Sequence, residues 1–169
     1  MHTARHSQGL TLLEILICLT LIGLLAVFSL PALHEVLETQ ALITTAEAIN
    51  ADLRWAKSEA LKRNDDIQIT FTPGAAGNWG YQIQNSAQTL LKTIDATQTT
   101  DFKAITLSEN LRNDSTVFSR IRGTSEGQNG TLTLVGASGN YELHVVLSNL
   151  GRVYICSAKG KIGAYPKCS

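Results

Sequence analysis

The pattern of apolar and polar positions changes period twice along this chain. From Ile15 to Leu30 no side chain is charged. With Leu10 to Leu13 before it and Pro31 to Leu33 after it, the run approaches the ~20 residues that a helix needs to cross ~30 Å of hydrocarbon. A helical repeat then takes over: Leu42, Ala46, Ile49, Leu53, Ala56 and Ala60 recur at alternating steps of four and three, which draws one apolar stripe. Glu47, Asp52, Arg54, Lys57 and Lys62 fall mostly off that stripe. The repeat fades at "RNDD" (63–66), whose Asn and Asp residues suit a helix end, so one long helix is predicted from Leu10 to about Asn64.

Beyond Asp65 the period shortens to that of strands. "IQITF" (67–71), "YQIQ" (81–84), "LLKTI" (90–94), "AITL" (104–107), "TVFSRI" (116–121), "TLTLV" (131–135), "YELHVVL" (141–147) and "RVYIC" (152–156) alternate or run apolar. Turn sequences such as "PGAAGNWG", "GTSEGQNG" and "GASGN" separate them. Eight short strands at this spacing predict antiparallel sheets packed on each other and on the helix, an α+β domain.

Composition narrows the class only a little. At 169 residues, with 17 % charged and 44 % hydrophobic side chains, the chain fits one domain plus an appendage and excludes both a disordered and a multi-span membrane protein. Acidic and basic residues balance at 14 each, but unevenly. Residues 65–150 hold eight acids against five bases, whereas 151–169 hold Arg152, Lys159, Lys161 and Lys167 and no acid. A mildly acidic body ends in a basic tail.

Glu14 is the residue that does not fit a plain membrane segment, since a carboxylate in hydrocarbon costs at least ~2.5 kcal/mol. Three readings of the N-terminal run compete. A secretory signal peptide explains Arg5, but its apolar core is usually only ~7–15 residues and no clean A-x-A site follows. A simple signal anchor leaves Glu14 unexplained. Cleavage after Gly9 makes Glu14 the fifth residue of the processed chain, near a new α-amino group. An ammonium, its own or that of a neighbouring copy, then pairs the carboxylate and offsets its desolvation. A paired buried charge also fixes register between helices.

"G-LTLLE" followed by an apolar helix resembles the class III leader of type IV pilins and type II secretion pseudopilins. The resemblance implies cleavage by prepilin peptidase after Gly9, methylation of the new terminus at Leu10, and Glu14 as the carboxylate that sets register during assembly. Gly23 and Pro31 stand where related pilins carry a glycine and a proline bracketing a helix stretch that loosens in the filament, consistent with their weak helix support. "WAKSEALKRNDDIQITF" (55–71) is similar, more narrowly, to the region of the GspH/FimT minor pilins where helix hands over to first strand. Ala56, Ser58, Glu59, Ala60, Lys62, Arg63 and Asn64 match, with Lys57 where arginine is commoner.

The implied organisation is a leader peptide (1–9), a transmembrane or filament-core helix (10–33), the amphipathic second half of that helix (34–64) and a β-rich periplasmic domain (65–169). Arg5 before the span and Glu35 and Glu38 after it orient the N-terminus to the cytoplasm by the positive-inside rule. The span then sits in the inner membrane with the body exported, and enters the pilus fibre on assembly. In an oxidising compartment Cys156 and Cys168 are expected to form a disulfide, with Cys18 a small packing residue inside the apolar helix. A metal site is not expected, since two of the four histidines lie in the leader and no CxxC occurs. A C-terminal disulfide loop resembles the pilus-side members of the family more than the secretion-side one.

The chain has no Gly-rich phosphate loop and no HExxH, and His144 lies inside an apolar strand. Neither catalysis nor a cofactor is expected. The resemblance implies a minor pilin that takes part in assembly or priming of a type IV pilus, with other major and minor pilins, prepilin peptidase and the inner membrane as partners. It leaves two alternatives, a minor pseudopilin of a type II secretion system and a DNA-binding minor pilin for uptake in transformation. The DNA-binding relatives carry a motif resembling G-R-x-R. Here "GRVY" supplies Gly151 and Arg152, but Tyr154 replaces the second arginine, leaving Arg152, Lys159, Lys161 and Lys167 as the candidate contacts.

Overall fold

In the computed structural model, residues 11–125 and 128–168 are described, together with the backbone but not the side chains of 26 and 28–32. The expectations for the leader, Gly9 and Leu10 therefore lie outside the described residues. One helix, α1 (Leu12–Arg63), is followed by eight strands: β1 (Ile67–Thr72), β2 (Gly80–Asn85), β3 (Leu90–Asp95), β4 (Thr106–Glu109), β5 (Ser115–Phe118), β6 (Gly130–Val135), β7 (Glu142–Leu147) and β8 (Val153–Lys159). The chain divides into two compact units, residues 1–37 and 38–169.

In the second unit the strands form two antiparallel four-stranded sheets, ordered β3-β2-β1-β5 and β4-β6-β7-β8. The fold class is the expected α+β. The apolar stripe is the buried face of the helix: Leu42, Ala46, Ile49, Leu53, Ala56 and Ala60 are all within 2 % of complete burial. They join one core with Ile67, Ile69 and Phe71 of β1, Tyr81 and Ile83 of β2, and Leu132, Leu134, Leu143, Val145 and Ile155 of the other sheet. Three of the six stripe residues are alanines, which lets a helix lie close to a pleated surface.

Two strands differ from expectation for local reasons. The fourth begins at Thr106 rather than 104, because turns in which Phe102 N–H bonds Thr99 and Ile105 N–H bonds Phe102 hold the preceding backbone. The fifth ends at Phe118 rather than 121. There Ser119 N–H bonds the Thr124 carbonyl, Gly123 N–H bonds Ser119, and Arg120 N–H is taken by the Asp66 carboxylate at 2.8 Å. The last strand continues past Cys156, with Lys159 opposite Glu142.

A row of polar ties joins the second half of the helix to the sheets. Glu38 accepts from both the N–H and the hydroxyl of Ser138, each at 2.8 Å. Gly136 makes room for that carboxylate, since a Cβ there would lie 2.2 Å from Glu38 Oε1. Lys57 donates to the Gly151 carbonyl at 3.0 Å and Arg54 to that of Val153 at 3.4 Å. Gly151 turns β7 into β8 at φ +68°, and a Cβ there would meet the Gly123 carbonyl at 2.2 Å. Only glycine fits.

Asp52 is the tie that the stripe does not explain. It is only 9 % exposed, takes the Tyr81 hydroxyl at 2.7 Å and pairs with Lys92 at 2.6 Å. Burial, and then the bond to Asp52, push the Tyr81 hydroxyl far above its ordinary value. Removing the acceptor strands a buried donor, which typically costs about 1–3 kcal/mol. Asp52→Ala should therefore lower the unfolding free energy by that amount, read as a lower urea midpoint at unchanged slope. Tyr81→Phe should cost clearly less in the Asp52→Ala background than in the wild type; equal costs would mean that the pair is not coupled.

Glu47 takes the Tyr165 hydroxyl at 2.6 Å, which fastens the C-terminal loop to the helix. Burial first, and then the bond and charge of Glu47, push Tyr165 up to about 12. A tyrosine whose folded value exceeds the unfolded ~10 holds its proton more tightly when folded. Its stabilising contribution is full below pH ~10 and is lost as pH rises through its folded value. Tyr165→Phe should flatten the alkaline loss of stability between pH ~10 and about 12 relative to wild type, measured by urea unfolding. Tyr81 is present in both proteins, so the difference isolates Tyr165; parallel curves would contradict the assignment.

Candidate functional site

Two features outside the core carry the chemistry of interest: the first unit's helix and the C-terminal corner of the second. In the first, every described side chain from 11 to 37 is exposed. The exposed set includes Leu12, Leu13, Ile15, Leu16, Ile17, Leu19, Leu21, Ile22, Leu24, Leu25 and Val27. Such a contiguous apolar surface marks a binding face for lipid or protein. Among the described residues no helix is long and apolar enough to cross a membrane; positions 26 and 28–32 of the apolar run lie outside that description. The helix runs through both Gly23 and Pro31.

Glu14 lies in the first turn of the helix, exposed. Its N–H donates to the Thr11 hydroxyl at 3.2 Å, and the Ile15 N–H to the Thr11 carbonyl at 3.2 Å. Thr11 is thus an N-cap, and Thr11-x-x-Glu14 matches the capping-box signature. The carboxylate also faces the positive end of the helix dipole. This local role is legible in the sequence, beside the inter-subunit one.

At the C-terminus Cys156 and Cys168 are joined in a disulfide, with Cα atoms 5.0 Å apart. Between them the chain rounds the edge of β8, burying Ile162, and returns alongside that strand. Ser157 N–H bonds the Pro166 carbonyl at 2.8 Å and Cys168 N–H bonds that of Ser157 at 3.0 Å. The loop therefore covers an edge that would otherwise present free backbone groups. Cys18 is a free, exposed thiol on the first unit's helix rather than a packed one.

The four cations of the tail do not form one cluster. Arg152 precedes β8 and Lys159 ends it, so ~3.3 Å per residue places them roughly 23 Å apart along the strand. Lys159 donates to the Gly139 carbonyl, while Lys161 and Lys167 lie exposed on the returning loop. Arg152 instead has Lys57 and Arg54 bonded to the backbone on either side of it, at Gly151 and Val153. Tyr154 is exposed on the strand beyond. His144, within β7, has its Nε2 2.7 Å from Glu142 Oε1.

Residues 4–30 match the prokaryotic N-terminal methylation motif, and residues 45–151 match the family described as type II transport protein GspH. No curated protein gives a significant match. Among solved structures, the fold is similar to the type IV minor pilin FimU of Pseudomonas aeruginosa PAO1. In its P21 crystal form the TM-score is 0.53 at 22 % identity, over 70 % of this chain and 90 % of that one. In the P65 form it is 0.50 at 22 % identity, over 66 % and 90 %. At that identity the likeness speaks for the fold alone. The family match spans more than half of the 169 residues and the methylation motif leads into the exposed apolar helix: this chain belongs to the GspH family of pilin-like subunits.

Proposed function

We propose that the chain is a minor subunit of a type IV pilus, cut by prepilin peptidase after Gly9, methylated at Leu10, held by its apolar helix in the inner membrane and then drawn into the fibre. The observation that carries this reading is the methylation motif at 4–30 opening onto a helix whose described side chains to residue 37 are all exposed. That surface needs an apolar environment, and lipid before assembly and neighbouring helices after it both supply one. Glu14 meets the amine of an adjacent copy and sets register, while Gly23 and Pro31 let the helix loosen between them. The domain of residues 38–169 is exported and makes the lateral contacts.

A role in a type II secretion pseudopilus is the second reading, favoured by the description of the matching family. Deleting the gene separates the two. On the pilus reading surface fibres fall and protein secretion is unchanged, and the reverse pattern favours secretion.

Gly9→Leu should leave an unprocessed precursor nine residues longer, visible by mass spectrometry of the membrane fraction. A mature chain beginning at Leu10 in that variant would overturn the cleavage assignment. Glu14→Ala removes a charge that is costly in hydrocarbon, so the variant should insert and be cleaved normally. It should then be depleted from sheared fibres relative to wild type; equal incorporation would remove the register role.

A further inference from the structure

The pairing of β7 and β8 places His144 directly opposite Cys156. Residues so paired on one face have Cβ atoms about 4.5–5.5 Å apart. Both side chains lie on the face away from the core, because Leu143, Val145 and Ile155, their neighbours in the strands, are the buried positions. Cys156 is nevertheless buried. The C-terminal segment covers it, and the same fold-back delivers Cys168. A ring nitrogen of His144 and the two sulfurs consequently lie within 4.8 Å of one another. Glu142 holds His144 Nε2 at 2.7 Å, which leaves the other ring nitrogen for a ligand. Orientation of an imidazole by a carboxylate is the usual outer support of a metal-bound histidine.

We propose that the reduced form of this corner is a binding site for a thiophilic d10 cation, represented by Zn2+, with Cys156 and Cys168 thiolates and the His144 imidazole as ligands and water in the fourth position. Two thiolates and one imidazole form a donor set that suits zinc. Zn–S bonds of ~2.3 Å and Zn–N bonds of ~2.0–2.1 Å in a tetrahedron set donor separations of roughly 3.5–3.8 Å. A His144 ring nitrogen already lies within 4.8 Å of both sulfurs, and the sulfurs, bonded in the disulfide, part on reduction to take up that separation. The site needs no new backbone path, because the return of the chain beside β8 already brings both cysteines to His144. The metal thus clasps the same C-terminal loop that the disulfide clasps.

The chemistry balances in both directions. A newly synthesised chain carries two thiols at this corner, and each gives up a proton on binding Zn2+. Conversion to the observed disulfide removes two electrons, which pass to a disulfide-bearing oxidant. That oxidant takes up two protons and leaves as a dithiol, and Zn2+ is released as its thiolate ligands join. The metal is a placeholder for the disulfide before oxidation. The inference rests on the corner alone and stands or falls independently of the pilus reading.

The test uses the full chain carrying Cys18→Ser in detergent micelles, so that only the two relevant thiols remain. A phosphine reduces the disulfide, taking oxygen from water to give a phosphine oxide and two thiols, and is then removed without air. Titration with Zn2+ should show one ion bound per chain, two protons released and both thiols protected from alkylation. Co2+ in its place should give the sulfur-to-cobalt charge-transfer band and the intense visible bands of a tetrahedral site. His144→Ala should weaken binding at least tenfold, and Glu142→Gln should weaken it by about 10–100-fold. Circular dichroism of each variant in its oxidised form verifies that the fold is kept. The oxidised parent chain should bind no Zn2+ at this site. A reduced chain that binds no Zn2+, or binds it equally well in His144→Ala, or gives an octahedral Co2+ spectrum without sulfur charge transfer, overturns the proposal.

Discussion

One constraint organises this protein: the helix Leu12–Arg63 has more apolar surface than the chain can bury. From Leu42 to Ala60 its stripe is buried in the core formed with the two sheets and the loops beside them. From 11 to 37 every described side chain is exposed. Apolar area left in water forfeits about 25 cal/mol per Å2, so a row of exposed leucines and isoleucines is tolerable only if lipid or other chains cover it. The domain covers one end of the helix and leaves the described side chains of the other end exposed.

The covered half shows how a helix is held on a sheet surface without a large side-chain volume. Alanines at 46, 56 and 60 bring the backbones close, and the polar ties along the flanks fix register: Glu38 to Ser138, Glu47 to Tyr165, Asp52 to Tyr81 and Lys92, Lys57 to Gly151. These contacts reach both sheets and the C-terminal loop. Buried apolar area supplies the attraction, and the ties exclude sliding along or rotation about the helix axis, because a shift would leave Asp52 and the Tyr81 hydroxyl buried without partners.

Much of this was legible in the sequence, because the signals were local. A four-three repeat can have only one buried face, and alternation in "IQITF" and "TLTLV" fixed which strand residues point inward. The Thr11-x-x-Glu14 cap is equally local, a signature contained within four residues. What stayed hidden depends on contacts distant in sequence. Asp52 falls off the apolar stripe, and its burial depends on Tyr81 and Lys92, which come from β2 and β3. The division of eight strands into two sheets, and the meeting of His144 with Cys156 and Cys168, follow from pairings that periodicity does not encode. In the basic tail, Arg152 precedes β8 and Lys159 ends it, so closeness in sequence is not closeness in space.

The central claim is that neighbouring subunits cover the exposed half of the helix. Site-specific photo-crosslinking in sheared fibres tests it most directly, with the photoreactive side chain placed at Leu16 or Leu24 and, for comparison, at Leu42 inside the domain. The account predicts adducts to other pilin subunits from Leu16 and Leu24, and from Leu42 only crosslinks within the same chain. Intersubunit adducts absent at Leu16 and Leu24 in fibres that contain the protein would contradict it.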